Sequence, residues 1–389
     1  MAARAADPQR RLLLDLYRAA LAAVDGRRRV RAALASDAGS DPVSAVAIGK
    51  AASAMMLGAA DALGLRLQRG LVVGPDGGIA RELAERAGMQ CLEAGHPLPD
   101  ERSLAAGRAL LAFAAATPPG SRVLLMVSGG ASALLEIPAP GVSLADLQRL
   151  YVEATARGLD IESLNARRRE LSLVKGGRLP GLFAGSSVEG LALSDVPRDD
   201  PAVIGSGLLA APGCRLTLVG SLDEALDAVV RTARAQELSV RRIADRLGGD
   251  AEAAARRFCH ELAIGETDLL VWGGEAVVNL PAQPGRGGRC QHFALAAAQC
   301  IAGHPEFIVL AAGSDGRDGA SEDAGAIVDG ATAERALDAG FDLAGCLAAA
   351  DSGPPLEAAG DLIDTGATGT NVSDIVLGLR LTPVPGPAM

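Results

Sequence analysis

Aromatic side chains are nearly missing from this sequence: one Trp, two Tyr and six Phe make up 2% of 389 residues, so any core must be aliphatic. Long apolar runs are missing too. The best, Val123 to Leu135, is interrupted by Ser128, Gly129, Gly130 and Ser132 and falls short of the eighteen or so residues of a membrane span. A soluble chain with no membrane partner is expected. There is no basic excess: 37 Lys and Arg against 47 Asp and Glu leave a net charge of −10. That argues against a nucleic-acid partner, although a local cationic pocket for a small anion remains compatible. The six cysteines (Cys91, Cys214, Cys259, Cys290, Cys300, Cys346) form no CxxC pair, and the four histidines (His96, His260, His292, His304) form no HExxH. Structural zinc is therefore not expected, and reduced thiols fit a cytoplasmic location. Asp7 and Asp15 break any signal-peptide core, while Leu13, Leu16, Tyr17, Ala20, Leu21 and Val24 recur at helical spacing.

What is present points to a large globular enzyme-sized chain. Hydrophobic residues are 49% and charged ones 22%, enough for a sizeable core, and the length predicts two domains. Apolar runs of strand length alternate with Ala/Leu/Arg-rich helical stretches, the pattern of an α/β fold with a mostly parallel sheet. Strands are predicted at Val43–Ile48, Gly70–Val73, Val123–Val127, Leu191–Leu193, Arg215–Val219, Leu269–Trp272, Ala276–Leu280, Phe307–Ala311 and Ile375–Leu379. Helices are predicted at Arg11–Val24, Ala51–Leu63, Asp100–Ala115, Leu144–Arg157, Leu222–Ala235, Ala251–Leu262 and His292–Ala302. The polar stretch RRIADRLGGD at 241–250 suggests a domain boundary near residue 240.

Four strands run into glycine-bearing polar turns: AIGKAA at 47–52, VSGGASA at 127–133, VWGGEA at 271–276 and AAGSDGRDG at 311–319. Ligands of open α/β sheets sit beyond such carboxyl ends of strands. Lys50 follows Gly49 at a helix start, where an ammonium and free N–H groups favour an anion, although the spacing is not that of a P-loop. Ser128, Gly129, Gly130 and Ser132 let backbone amides approach a phosphate, or simply make a tight turn. A nucleophile elbow does not fit, because the run ends in Leu134. Lys175, Gly176 and Arg178 suit anion contact or a glycine-capped helix end. Asp195, with Asp199 and Asp200, could hold Mg²⁺, accept a hydroxyl proton, or form an Asx turn before Pro201. Arg286 and Arg289 lie in a glycine-rich loop entering a helix, suited to a bidentate grip on phosphate. His292 reads as a capping or surface residue. Asp315 and Asp318, and the TGATGTNVSD run at 365–374, read as metal and phosphate or hydroxyl contacts.

In order, GKAA at 49–52, GHPLPD at 95–100, SGGASALL at 128–135, VKGGRL at 174–179, SDVPRDDP at 194–201, GGEAVV at 273–278, GRGGRCQ at 285–291, SDGRDG at 314–319 and TGATGTNVSD at 365–374 resemble the class II glycerate kinase family. The resemblance spans nearly the whole chain. It implies a larger N-terminal Rossmann-like α/β/α sandwich over 1–240 and a smaller C-terminal α/β (MOFRL) domain over 241–389. It implies transfer of the ATP γ-phosphate to D-glycerate, giving 2-phosphoglycerate, with Mg²⁺. The family's motif residues fall on Lys50, Asp195, Arg289, Asp315 and Asp318. The residue types themselves suit phosphoryl transfer, so catalysis is expected of Lys50 and Arg289, clamping phosphate oxygens, and of Asp195, orienting or deprotonating the glycerate hydroxyl. Substrate or ATP contacts fall on Ser128, Gly129, Gly130, Ser132, Lys175, Gly176, Gly274, Glu275, Arg286, Thr368, Gly369, Thr370 and Asn371, and the metal on Asp315 and Asp318. The chain departs from the family pattern at Ala131, Arg198, Cys290, His292, Ser314 and Ala367; Cys290 and His292 stand where Asn and Glu are usual. Two other readings are a hydroxypyruvate reductase using NAD(P)H, which lacks its G-x-G-x-x-G fingerprint here, and a non-catalytic sensor of a sugar acid or nucleotide. Assembly of identical subunits is compatible with all three.

Overall fold

The computed structural model describes residues 7–157 and 161–381. The chain divides into two compact units, one formed by Val24–Ser221 with Gly369–Val372, the other by Met1–Ala23, Leu222–Thr368 and Ser373–Met389. Composition suggests one cut near residue 240. By packing, the compact units change over at Leu222, and the first helix packs with the C-terminal unit. The reason is a set of contacts distant in sequence: Arg10 of helix Pro8–Ala23 is buried against Asp329 at 2.7 Å and Asp361 at 2.8 Å, and the Tyr17 hydroxyl donates to the Gly313 carbonyl at 2.6 Å.

The first unit is built on six strands, β1 (Val43–Ile48), β2 (Leu67–Pro75), β3 (Met89–Ala94), β4 (Arg122–Val127), β5 (Ser187–Leu193) and β6 (Arg215–Gly220). All neighbours are parallel, in the order β3-β2-β1-β4-β5-β6. Inner strands covered on both faces read as continuous apolar runs, which is why VSAVAI and VLLMV are legible in the sequence. The edge strand β3, MQCLEA, is largely half-exposed and carries no such run. Val46, Ile48, Leu71, Val73, Leu125 and Val127 pack with Ala106, Leu110 and Phe113 of helix Glu101–Ala115.

That helix starts in a capping box: the Asp100 carboxylate accepts from the Arg102 and Ser103 amides, and Ser103 reciprocates to the Asp100 amide. Asp100→Ala is expected to lower the stability of this unit by about 1–2 kcal/mol, read as an earlier urea midpoint at unchanged m-value.

The second unit carries β7 (Val240–Arg242), β8 (Leu269–Gly274), β9 (Phe307–Gly313), β10 (Gly325–Asp329), β11 (Leu362–Ile363) and β12 (Asp374–Arg380), in the order β11-β10-β9-β12-β8-β7. Only β7 and β8 are parallel; the other pairs are antiparallel, so the expectation of a mostly parallel sheet holds for the first unit alone. LLVWGG and FIVLAAG are wholly buried, and double-sided burial makes an antiparallel strand look like a parallel one in sequence. Phe258 stacks on Trp272 at 6.2 Å and meets Phe293 edge-on at 5.9 Å, an aromatic cluster inside this core. The predicted strand at Ala276–Leu280 does not form. Gly274, at φ +143°, turns the chain out of β8, and Val277 and Leu280 are 57% and 68% exposed. Among the described residues no helix is long and apolar enough to cross a membrane.

Candidate functional site

In the first unit the strand order reverses between β1 and β4, whose ends pair as Ile48 with Val127. The chain leaves β1 towards β2 and leaves β4 towards β5, opening the crevice where open α/β sheets bind ligands. The two turns are laced together there. The Lys50 amide donates to the Gly129 carbonyl at 2.9 Å, the Ser128 amide to the Ile48 carbonyl at 3.0 Å, and the Ala51 amide to the Ser128 hydroxyl oxygen at 3.0 Å. Ser128, expected to meet substrate, is fully buried and its hydroxyl serves the turn. The Lys50 side chain is half-buried and passes close to Gly130, which takes a left-handed conformation at φ +82°.

Asp195 emerges just after β5, half-buried. Its Oδ2 accepts from the Asn371 amide nitrogen at 3.3 Å, because Gly369–Val372 folds with this unit and the Thr370 hydroxyl ties it to the Val24 carbonyl at 2.7 Å. Gly129 is obligatory for this arrangement: a Cβ there would lie 1.9 Å from both Asp195 Oδ2 and Asn371 Nδ2.

Asp195, Gly129, Gly130 and Ser132 line a cleft of about 210 Å³ together with His96, Tyr151, Asn165, Arg168 and Ser206. The last five carry no role in the sequence reading. Their only signals there are the GHPLPD motif around His96 and the ARRRE end of a helix around Arg168. Ser132 and Ser206 share a hydrogen bond of 2.7 Å, Ser206 donates to Asn165 Oδ1 at 2.9 Å, and Arg168 donates to the same oxygen at 3.3 Å. The Arg168 guanidinium lies 5.8 Å from the centre of the Tyr151 ring. Burial holds its pKa below the ordinary guanidinium value.

Lys175 does not face this cleft as an anion ligand. It is 3% exposed and its ammonium engages Glu136, itself 2% exposed, which also accepts from the Ser172 hydroxyl. Burial lowers the lysine pKa, and Glu136 partly offsets that. The neighbouring Gly176 and Gly177 amides donate to the Ser206 and Gly207 carbonyls at 3.1 and 2.6 Å. Lys175 and Gly176 therefore brace the loop that presents Ser206.

In the second unit, Arg289 opens helix Arg289–Cys300 with its guanidinium already occupied. It forms paired bonds to Glu275 at 3.1 and 2.9 Å and to Asp374 at 2.5 and 3.0 Å. Arg286 pairs with Glu357 and its amide donates to Asp351 at 2.7 Å. His292 is buried rather than on the surface, 3.6 Å from Glu252, and burial lowers its pKa. Cys290 is buried, and burial followed by the Asp374 charge raises its thiol pKa well above the usual value, which keeps it from acting as a nucleophile. Asp315 is half-buried; its side chain accepts from the Arg317 amide at 3.1 Å, and the Thr368 hydroxyl donates to the adjacent Ser314 carbonyl at 2.5 Å.

Asp318, expected at the metal, caps a helix in the structure. It is 2% exposed, and its two oxygens accept from the Cys290 and Gln291 amides at 3.0 and 2.7 Å. No group of three His, Cys, Asp or Glu side chains suited to a metal forms among the described residues. Burial raises the Asp318 carboxyl to about 7, against the two amides that favour its ionised form. A carboxyl raised in the folded state contributes stability below its unfolded pKa near 3.9 and loses it as pH rises through about 7. Melting of the native chain relative to Asp318→Asn should therefore decline from pH 5 to pH 8. A difference that stays flat over that range would refute the assignment.

Comparison with known proteins identifies two families along the chain. Residues 12–236 match the family described as a domain of unknown function, DUF4147, and residues 268–374 match the MOFRL family. The D-glycerate 2-kinase of Thermotoga maritima is 32% identical, over 96% of this chain and 99% of its own. A putative hydroxypyruvate reductase of Agrobacterium vitis is also 32% identical, over 74% of this chain and 87% of its own. The crystal structure of the Thermotoga maritima glycerate kinase superposes with a TM-score of 0.81 at 31% identity, covering 95% of this chain and 99% of that one. With two family models in sequence and a relative aligned nearly end to end, the chain belongs to the glycerate kinase family that carries a MOFRL domain.

Proposed function

We propose that this chain transfers the γ-phosphate of ATP to D-glycerate and releases 2-phosphoglycerate, with Mg²⁺ accompanying the nucleotide. The observation that carries this reading is the Asp195 carboxylate, held against Gly129 by the Asn371 amide in the cleft beside Lys50. Phosphoryl transfer asks a protein mainly to position two reactants and to meet the negative charge that spreads over the phosphate oxygens. Asp195 accepts the proton of the substrate hydroxyl as that oxygen attacks. Asn371 fixes the carboxylate's orientation. Lys50 and the start of helix Ala52–Leu63 supply positive potential for the phosphate.

Of the two carboxylates expected at the metal, Asp315 is the one suited to hold Mg²⁺, because the Asp318 oxygens are taken up by backbone amides. Bound there with the nucleotide, the ion would neutralise phosphate charge. Arg289 acts as a brace between Glu275 and Asp374 instead of a free phosphate clamp.

The reductase reading is disfavoured at one specific place. The turn after β1 is where this strand order would seat a dinucleotide, and it reads Gly49-Lys50-Ala51-Ala52 without the second and third glycines. The test is ADP formation with D-glycerate, against L-glycerate and glycerol, with the product identified by ³¹P NMR, alongside NADH or NADPH oxidation with hydroxypyruvate. Glycerate-dependent ADP with a 2-phosphoglycerate signal supports the kinase. Cofactor oxidation without ADP formation would replace it with the reductase.

A further inference from the structure

Arg168 stands apart from the other cleft residues in charge. Arg10, Arg122, Arg242, Arg289 and Arg335 each reach a carboxylate. Among the described residues Arg168 has no such ion pair. Its hydrogen-bond partner is the neutral Asn165 side chain, and its neighbour is the Tyr151 ring. The nearby acid, Glu136, is already neutralised by Lys175. One wall of the cleft therefore holds a half-buried guanidinium that has no carboxylate partner among the described residues, flanked by the Ser132 and Ser206 hydroxyls, and the cleft also contains Asp195. Partial desolvation of a charge is costly, and a ligand that brings negative charge to it recovers that cost. The cleft, at about 210 Å³, is below the roughly 300–1,000 Å³ of sites for drug-sized ligands. That size favours a small acid over a nucleotide triphosphate.

We infer that Arg168, with Ser132 and Asn165, forms the subsite that binds the carboxylate of the substrate and so selects hydroxy acids over uncharged polyols. The inference rests on the kinase reading for the identity of the acid. A planar guanidinium with a hydroxyl beside it matches the two oxygens of a carboxylate, while Asp195 would repel a carboxylate and accept a hydroxyl. The substrate is thereby oriented with its acid end on Arg168 and a hydroxyl on Asp195. Asn165 spends its carbonyl oxygen on both Ser206 and Arg168, which fixes the guanidinium plane before substrate arrives.

The test measures D-glycerate and its uncharged amide, glyceramide, with the native chain and with Arg168→Gln, both by calorimetric binding and by ADP formation. The native chain should bind D-glycerate roughly 30- to 1,000-fold more tightly than glyceramide. In Arg168→Gln the KM for D-glycerate should rise by a similar factor and the preference should collapse to below about tenfold, with kcat changed much less than KM. Equal native affinity for acid and amide overturns the inference without any variant. So does an Arg168→Gln chain that turns over with unchanged KM, an outcome that leaves the kinase reading intact. Arg168-dependent binding of D-glycerate without any turnover would instead keep the subsite and discard the kinase.

Discussion

Asp195→Asn should lower kcat with D-glycerate by roughly 10²–10⁴-fold, while the folded chain melts within a degree or two of the native one. The amide is nearly the same size as the carboxylate, so the packing against Gly129 and the contact to Asn371 can survive. What it lacks is the ability to take a proton from the attacking hydroxyl. The loss should therefore fall on kcat more than on KM. Circular dichroism and a thermal melt check the fold, and steady-state ADP release checks the chemistry. Turnover within threefold of native would remove Asp195 from the mechanism and leave Lys50 and the backbone turns as positioning elements alone.

The largest effect on stability should come from Glu136→Ala. Glu136 and Lys175 are both almost fully buried, and removing the acid leaves a buried ammonium without this counter-charge. Breaking such a pair costs about 3–5 kcal/mol, whereas replacing both partners by apolar residues is often close to neutral. Glu136→Ala should lower the melting temperature of its unit by roughly 10 °C, and Glu136→Leu with Lys175→Met should restore much of that. The pH dependence has a definite sign. Burial already lowers the Lys175 pKa, and without Glu136 the neutral amine is favoured further, so the deficit of Glu136→Ala should narrow as pH rises towards the unfolded lysine value near 10.4. A deficit that does not shrink would mean that the ammonium has found water or another acid. Activity should fall with stability, since the Lys175 loop holds the carbonyls of Ser206 and Gly207 beside the cleft.

The lysines illustrate what was legible beforehand. The chain has only two, Lys50 and Lys175, and both stand beside glycine in motifs that suit an anion. By sequence they are equivalent. In the structure Lys50 is half-buried at the strand-order reversal, whereas Lys175 is buried and neutralised by an acid 39 residues earlier. Asp315 and Asp318 part in the same way: one is half-buried in its turn, and the other is consumed in capping helix Arg289–Cys300. Arg168 was illegible because an arginine at the end of an arginine-rich helix looks like a solvated one. Only its enclosure by Tyr151, Asn165 and Ser206 gives it a different character.

Sequence alone determined the α/β class, the inner strands, the long helices, the family, and the turns that bear Lys50, Gly129 and Asp195. These are written in local patterns: continuous apolar runs for strands covered on both faces, helical periodicity, and glycines where a turn leaves no room for a Cβ. Tertiary structure decided strand direction in the second sheet, the placement of the first helix with the C-terminal unit, and which charged groups remain available for chemistry. Each of those depends on partners far away in the chain, because a charge becomes a binding group or a structural one according to the counter-charge that folding brings to it.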